Sequence, residues 1–295
     1  MSDQAAVQNV SDTAFWVAHY RAVEMQRPDA LFRDPLAGRL AGEHGGKIAK
    51  AIPMPGMTGW IVTIRTVIID DYISRAISEG VDAVLNLGAG LDTRPYRMDL
   101  PPSLRWIEAD YPKMIEFKES KLAGEQPRCQ LERVKIDLSD ATERRQMLAR
   151  VNAVAKKLLV LSEGVIPYLT NEQVGSLADD LHGLDHLCYW IADYFSPEVI
   201  KFRQRSRIQA KLQNAPFQFR PGDWFAFFAQ RGWKPKEVRY IAEEADRLHR
   251  PIPLPSLPKV LMTIRAMFAS KERRAAFKRF SGYVLLEPAA PANRA

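Results

Sequence analysis

The residues with the clearest chemical promise lie between Val84 and Arg97, which reads V-L-N-L-G-A-G-L-D-T-R-P-Y-R. An apolar run ends in Gly88, Ala89 and Gly90, and polar residues follow at once. Glycine carries no Cβ, so the backbone of such a turn can approach a ligand closely. In open α/β sheets ligands sit just beyond the carboxyl ends of the strands. A dinucleotide turn wants a third glycine, as Gly-x-Gly-x-x-Gly, where a helix seats against the strand. Here Thr93 takes that position, with Asp92 beside it. The carboxylate that binds a ribose belongs about 20 positions further on. Asp110 stands there, closing the apolar stretch that starts at Leu104. Turn and carboxylate together point to an adenosyl ribose, carried either by NAD or by S-adenosylmethionine.

Such a turn needs strands to present it, and the sequence supplies them. Strands are expected at Asp82 to Leu87, Leu104 to Asp110, Cys129 to Ile136, Leu158 to Leu161 and Leu187 to Phe195. Helices fall between them: Pro112 to Leu122, opened by its proline, and two with capping-box patterns, Asp140 to about Val154 and one behind Thr170 and Gln173. In the second, Val174, Leu177, Ala178 and Leu181 keep the spacing of an amphipathic helix. Alternating strands and helices imply a mostly parallel sheet covered on both faces. Right-handed crossovers then gather the strand ends on one rim. That rim collects Gly88, Asp110, Asp137 and Glu163.

The flanks are less regular. Residues 1–12 read as a disordered tail, and 13–80 as a helical cap before a core at 81–295. Thr13 to Arg27 carries an apolar stripe of Phe15, Ala18, Ala22 and Met25, and a short helix is expected from Pro35 to Ala41. Glycine and proline dominate from Gly42 to Gly59, which predicts a loop. Ile61 to Glu79 is a strong helix with a Gly80 stop. After strand five come helices at Pro197 to Leu212 and Pro221 to Arg231. Weaker strands at Glu237 to Glu243 and Tyr283 to Leu286 form a closing antiparallel pair. A proline-rich and helical insertion occupies about 245–280, its helix starting near Lys259.

Composition narrows the class. The 295 residues are 46% hydrophobic and 26% charged, as in globular proteins that live in water. No apolar run approaches the roughly 18 residues of a membrane span, and the N-terminus lacks a secretory h-region. Cys129 and Cys188 are far apart and read as buried free thiols, so the cytoplasm is expected. The net charge is +7. The one dense basic cluster, Arg265, Lys271, Arg273, Arg274, Lys278 and Arg279, reads as a solvated helix face rather than an RNA site. No His, Cys and carboxylate spacing suggests a metal.

Taken together, several stretches resemble the leucine carboxyl methyltransferase-like branch of S-adenosylmethionine-dependent methyltransferases. They are T-A-F-W-V-A-H-Y-R-A-V-E (13–24), R-P-D-A-L-F-R-D-P-L-A (27–37), I-R-T-V-I-I-D (64–70), N-L-G-A-G-L-D-T-R-P-Y-R (86–97), I-E-A-D-Y-P (107–112), I-D-L-S-D (136–140) and S-E-G-V-I-P-Y-L (162–169). The resemblance implies a Rossmann-like class I methyltransferase fold with a seven-stranded sheet, and S-adenosylmethionine as cofactor. It implies that Arg65 meets the methionine carboxylate, with Asp70 and Glu79 as competing partners on its own helix. Gly88 and Gly90 would let the methionine portion lie on backbone. Asp110 would bind the ribose, Tyr111 would stack near the adenine, and Asp137 and the Leu138 N–H would meet the adenine edge. Glu163 would lie near the amino group or sulfonium, while Asp92 and Arg94 would pair locally.

The expected reaction is methyl transfer to a carboxylate or hydroxyl oxygen of a small molecule, with the cap and the 42–59 loop covering the acceptor. Tyr168 would orient the acceptor. Of the five histidines (His19, His44, His182, His186 and His249), His19 is the candidate base. The competing readings are a protein that binds the adenosyl ligand without turnover, an NAD-type oxidoreductase, and an RNA methyltransferase. The acceptor and the oligomeric state are not encoded in any motif found.

Overall fold

The computed structural model describes residues 9–52, 54–205, 214–253 and 278–289, without the side chains of 202–205. The chain begins with α1 (Asp12–Met25), α2 (Ala37–Ala51) and α3 (Pro55–Ser78). The core follows as β1 (Ala83–Leu87), α4 (Arg94–Arg97), β2 (Arg105–Asp110), α5 (Pro112–Lys121), β3 (Gln130–Lys135), α6 (Ala141–Val154) and β4 (Leu158–Ser162). A 3-10 turn (Ile166–Tyr168) leads to α7 (Asn171–His182), β5 (Leu187–Phe195) and α8 (Pro197–Arg205). The last described elements are α9 (Trp224–Ala229), β6 (Trp233–Tyr240), α10 (Ile241–Arg247) and β7 (Ser281–Pro288).

The sheet has seven strands in the order β3-β2-β1-β4-β5-β7-β6. The first five are parallel, and β7 runs antiparallel to β5 and β6. Side chains of a strand alternate between faces, and the core divides accordingly. Leu85, Leu87, Ile107, Leu158, Val160 and Trp190 join one core with α6, α7 and α9. Val84, Trp106, Leu159, Leu161, Ile191 and Leu285 join another with α3 and α10. On α3, Ile64, Ile68 and Tyr72 are fully buried, as are Ile69 and Ile73, which the four-residue recurrence predicts. Thr170 closes a complete capping box with Gln173, whereas Asp140 caps α6 alone, accepting from Thr142 N and Glu143 N.

Three expectations need correction. The segment from Gly42 to Gly59 is not a loop. α2 runs through it to Ala51, kinked at Gly42, and α3 starts at Pro55. The glycines serve helix packing: a Cβ on Gly45 would collide with the Phe15 carbonyl, so its absence lets α2 lie against α1. The strand expected at Glu237 to Glu243 is β6, which begins at Trp233 and gives way to α10 at Ile241. The helix expected from Pro221 is short, covering Trp224–Ala229 after an Asp223 cap. Residues 1–8, the end of the helix expected to reach Leu212, and the helix from Lys259 lie outside the described residues. Of the basic cluster, only Lys278 and Arg279 are described; they pair with Asp246 and Glu243. Among the described residues, no helix is long and apolar enough to cross a membrane, and no His, Cys and carboxylate group could hold a metal ion.

Candidate active site

The turn after β1 is built on two glycines with positive φ, +62° at Gly88 and +47° at Gly90. Side chains are strained there, and space forbids one at Gly88: its Cβ would lie 2.5 Å from Val165 Cγ2. At Gly90 the nearest atom would be Ala14 Cβ of α1, at 3.1 Å. Asp110 ends the neighbouring strand and holds the turn, since Gly90 N donates to its Oδ2 at 2.6 Å and Tyr111 N to its Oδ1 at 2.7 Å. Burial pushes the Asp110 pKa up despite these two donors. Each oxygen keeps a lone pair for a further donor.

Beneath the turn lies a chain of buried ions. Arg94, 2% exposed, bonds Asp92 at 2.9 Å, Asp70 at 2.7 Å and Glu163 at 2.8 Å. Asn86 also donates to Asp92, at 2.8 Å. Asp70 is shared with Arg97, and Glu163 with Arg65. Burial alone would raise the Glu163 pKa, but the Arg94 and Arg65 guanidiniums hold it below the usual carboxylate range. The expected Asp92–Arg94 pair is therefore one link of a longer chain, and Arg65 faces Glu163 rather than Asp70 or Glu79. Arg65 Nε lies 2.9 Å from Glu163 Oε1 in ion-pair rather than hydrogen-bond geometry. Among the described residues, no hydrogen bond engages its two terminal amino groups. Arg65 lines a cavity of about 370 Å³.

That cavity opens at the carboxyl rim of the sheet. It brings together Arg65, Gly88, Gly90, Asp110, Tyr111, Leu138, Glu163 and Tyr168. Two assigned residues are not among those that line it. Asp137 is not in the lining; its Oδ1 accepts from Ser139 N and Oγ at 2.9 and 2.7 Å. Its neighbours Ile136, Leu138 and Ser139 face the cavity. His19 packs between α1 and α2, its ring edge-on to Tyr20 at 5.7 Å and beside Gly46. Burial and then Lys50 lower its pKa, which favours the uncharged ring.

Three polar groups were not singled out from the sequence. Arg21 and Asn86 line the cavity. Asp193, 3% exposed on β5, accepts from the Tyr283 hydroxyl at 2.8 Å and from Gly164 N at 3.0 Å. Its burial raises the pKa to about 6, with Tyr283 and Arg65 opposing the rise. A carboxylate two places before the end of an apolar strand was the available signal.

Comparison with known proteins gives this rim a family. A sequence model of leucine carboxyl methyltransferase matches residues 14–182. A Frankia alni protein, named among S-adenosyl-L-methionine-dependent methyltransferases, is 31% identical over 284 residues, spanning 90% of this chain and 98% of its own. A Streptomyces avermitilis protein of the same designation is 34% identical over 262 residues, spanning 82% and 89%. The fold is also that of a crystal structure described as a methyltransferase from Thermobifida fusca, with TM-score 0.54, 16% identity, and 92% and 94% of the two chains covered. The glycine turn, its Asp110 clamp and the seven-stranded sheet thus sit in a chain that belongs to the leucine carboxyl methyltransferase family of S-adenosylmethionine-dependent methyltransferases.

Proposed function

We propose that this protein methylates a carboxylate or hydroxyl oxygen of a small molecule. The observation that carries the reading is Arg65, a half-buried guanidinium at the wall of the cavity whose terminal amino groups make no hydrogen bond among the described residues. A guanidinium in that state suits a carboxylate, which it can bond through two parallel N–H groups. The methionine end of the cofactor has one. The remaining lining fits the same ligand: glycine backbone at 88 and 90 for close approach, Asp110 with spare lone pairs for a ribose, and Leu138 with Ser139 beside Tyr111 for the adenine. Glu163, held ionised by Arg65 and Arg94, suits an ammonium.

When bound, S-adenosylmethionine supplies a methyl group activated by its sulfonium. The protein's task is then alignment and exclusion of water. Arg65 fixes the methionine end of the ligand and Asp110 its ribose. Tyr168, edge-on to Phe217 at 5.4 Å, faces the cavity with Leu169, Gln173 and Gln218 and orients the acceptor. A carboxylate acceptor arrives ionised and needs no base. A hydroxyl acceptor would need its proton taken, and His19, outside the lining, is not carried forward in that role.

The test is calorimetric titration with S-adenosylmethionine, S-adenosylhomocysteine and NADH, on wild type and Asp110→Ala. Micromolar binding of the adenosyl ligands only, lost in the variant, supports the cofactor site. Methyl-labelled cofactor would then be screened against carboxylic acids and phenols. Failure of both adenosyl ligands to bind wild type would sink the reading, and binding without transfer to any acceptor would favour a non-catalytic role.

A further inference from the structure

The cap was expected to cover the acceptor. Its contacts also reach the cofactor turn. Arg21, in the third turn of α1, is 6% exposed and crosses from cap to core. Its Nε donates to Asp34 Oδ2 at 2.8 Å, and a terminal amino group donates to the Leu91 carbonyl at 2.5 Å. Asp34 Oδ2 also accepts from the Thr93 hydroxyl at 2.6 Å, while its Oδ1 caps α2 through Ala37 N at 3.1 Å. Two cap residues therefore grip the chain on both sides of Asp92. From below, Asp92 is held by Asn86, by the Arg94 side chain and by Arg94 N at 3.0 Å. α1 also forms part of the cavity wall, through Thr13, Ala14, Val17 and Arg21.

We propose that Arg21 and Asp34 form a positioning fork that sets the conformation of residues 88–93 for the cofactor, so that docking of the cap is a condition of cofactor binding. The inference rests on the cofactor site proposed above. Arg21 acts through the turn; it is a positioning residue and not a reacting one. The physical reason is the composition of the turn. Glycine at 88 and 90 lets the backbone adopt its shape but does nothing to keep it there. Rigidity must come from outside the loop, and pre-ordering a loop raises affinity by removing the entropy lost on binding. Asp110 fixes the Gly90 end. The fork fixes the Leu91–Thr93 end, and its atoms come from the cap alone.

The experiment compares wild type with Arg21→Gln, Arg21→Lys, Thr93→Val and the Arg21→Gln/Thr93→Val double variant. The readouts are calorimetric Kd for S-adenosylhomocysteine and amide hydrogen exchange of residues 88–93 without ligand. Arg21→Gln is expected to weaken binding on the order of ten-fold or more and to speed exchange across the turn, with partial rescue by lysine. Thr93→Val is expected to weaken binding about three- to five-fold, and the double variant less than the product of the single effects. A folded Arg21→Gln with wild-type Kd and exchange overturns the fork. If that variant does not fold, Thr93→Val decides alone, and its unchanged Kd overturns the proposal. If wild type itself fails to bind, the cofactor site falls first and the fork's role in binding falls with it. Wild-type binding with unaffected variants removes the fork only.

Discussion

A single carboxylate shows how burial sets behaviour at this rim. Asp193 ionises with difficulty, its pKa raised to about 6 against an ordinary 3.8. Between those values the folded protein binds more protons than the unfolded chain, so this group makes stability fall as pH rises from about 4 to 6 and leaves a constant penalty above that. Two pKa units correspond to about 3 kcal/mol as an upper bound. Asp193→Asn should therefore gain on wild type across that window and hold its relative gain at pH 8, as read by denaturant melts at each pH. A difference between the two that does not vary with pH would contradict the assignment. At the turn, Gly88→Ala forces both a strained φ and a clash with Val165, so S-adenosylhomocysteine affinity should drop at least ten-fold while far-UV circular dichroism stays close to wild type. Gly88, Gly90 and Asp110 were legible because their types and spacing suffice to define the turn. Asp193 was hidden inside an apolar run, and the orientation of Asp137 depends on Ser139, a partner that spacing does not rank. Arg21 and Asp34 stood in quoted stretches without a role, since the Leu91 carbonyl that Arg21 meets lies 70 residues away and carries no side-chain signature.

Elements were read well where a period and a cap agreed. α7 carries both, as does the C-terminal part of α3 with its Gly80 stop, and their buried faces follow the recurrence of their apolar residues. Removal of the α7 cap by Thr170→Ala should cost about 1 kcal/mol in chemical denaturation. α2 was misread because glycine lowers helix propensity by about 1 kcal/mol per residue relative to alanine. In this chain that cost is offset by close packing: α1 and α2 touch along much of their length because Gly45 lets them. Gly45→Ala, favourable for an isolated helix, should here destabilise the protein by about 1–3 kcal/mol, measured as the shift in unfolding midpoint. A stabilised variant would mean that the two helices can separate without loss. β6 was misplaced for a related reason, since Tyr240 and Ile241 belong to strand and helix in immediate succession, with no turn residue between them.

The whole molecule is a mostly parallel sheet with a cap tied across its rim, and the polar ties are hydrogen bonds and ion pairs of buried arginines. Besides Arg21, the buried Arg250 reaches from the core to Glu24 at 3.0 Å and Asp29 at 2.8 Å, and its carbonyl accepts from Trp60 Nε1 at 2.8 Å. Breaking a buried pair strands its partner's charge, at about 3–5 kcal/mol. Arg250→Ala should loosen the cap, so limited proteolysis is expected to cut between residues 26 and 36 faster than in wild type while β1 to β5 stay protected. Alternation of strand and helix made the parallel sheet legible, but alternation says nothing about how a cap docks, because that depends on pairs joined across 221 and 226 residues. The placement of β7 between β5 and β6 has a consequence for biosynthesis. β6 is made first, yet its partner in the sheet is β7, about 40 residues later, and the outer edge of β5 waits for the same strand. At about 5–20 residues per second, the nascent chain carries two unpaired strand edges for a few seconds while the ribosome is still at work on it.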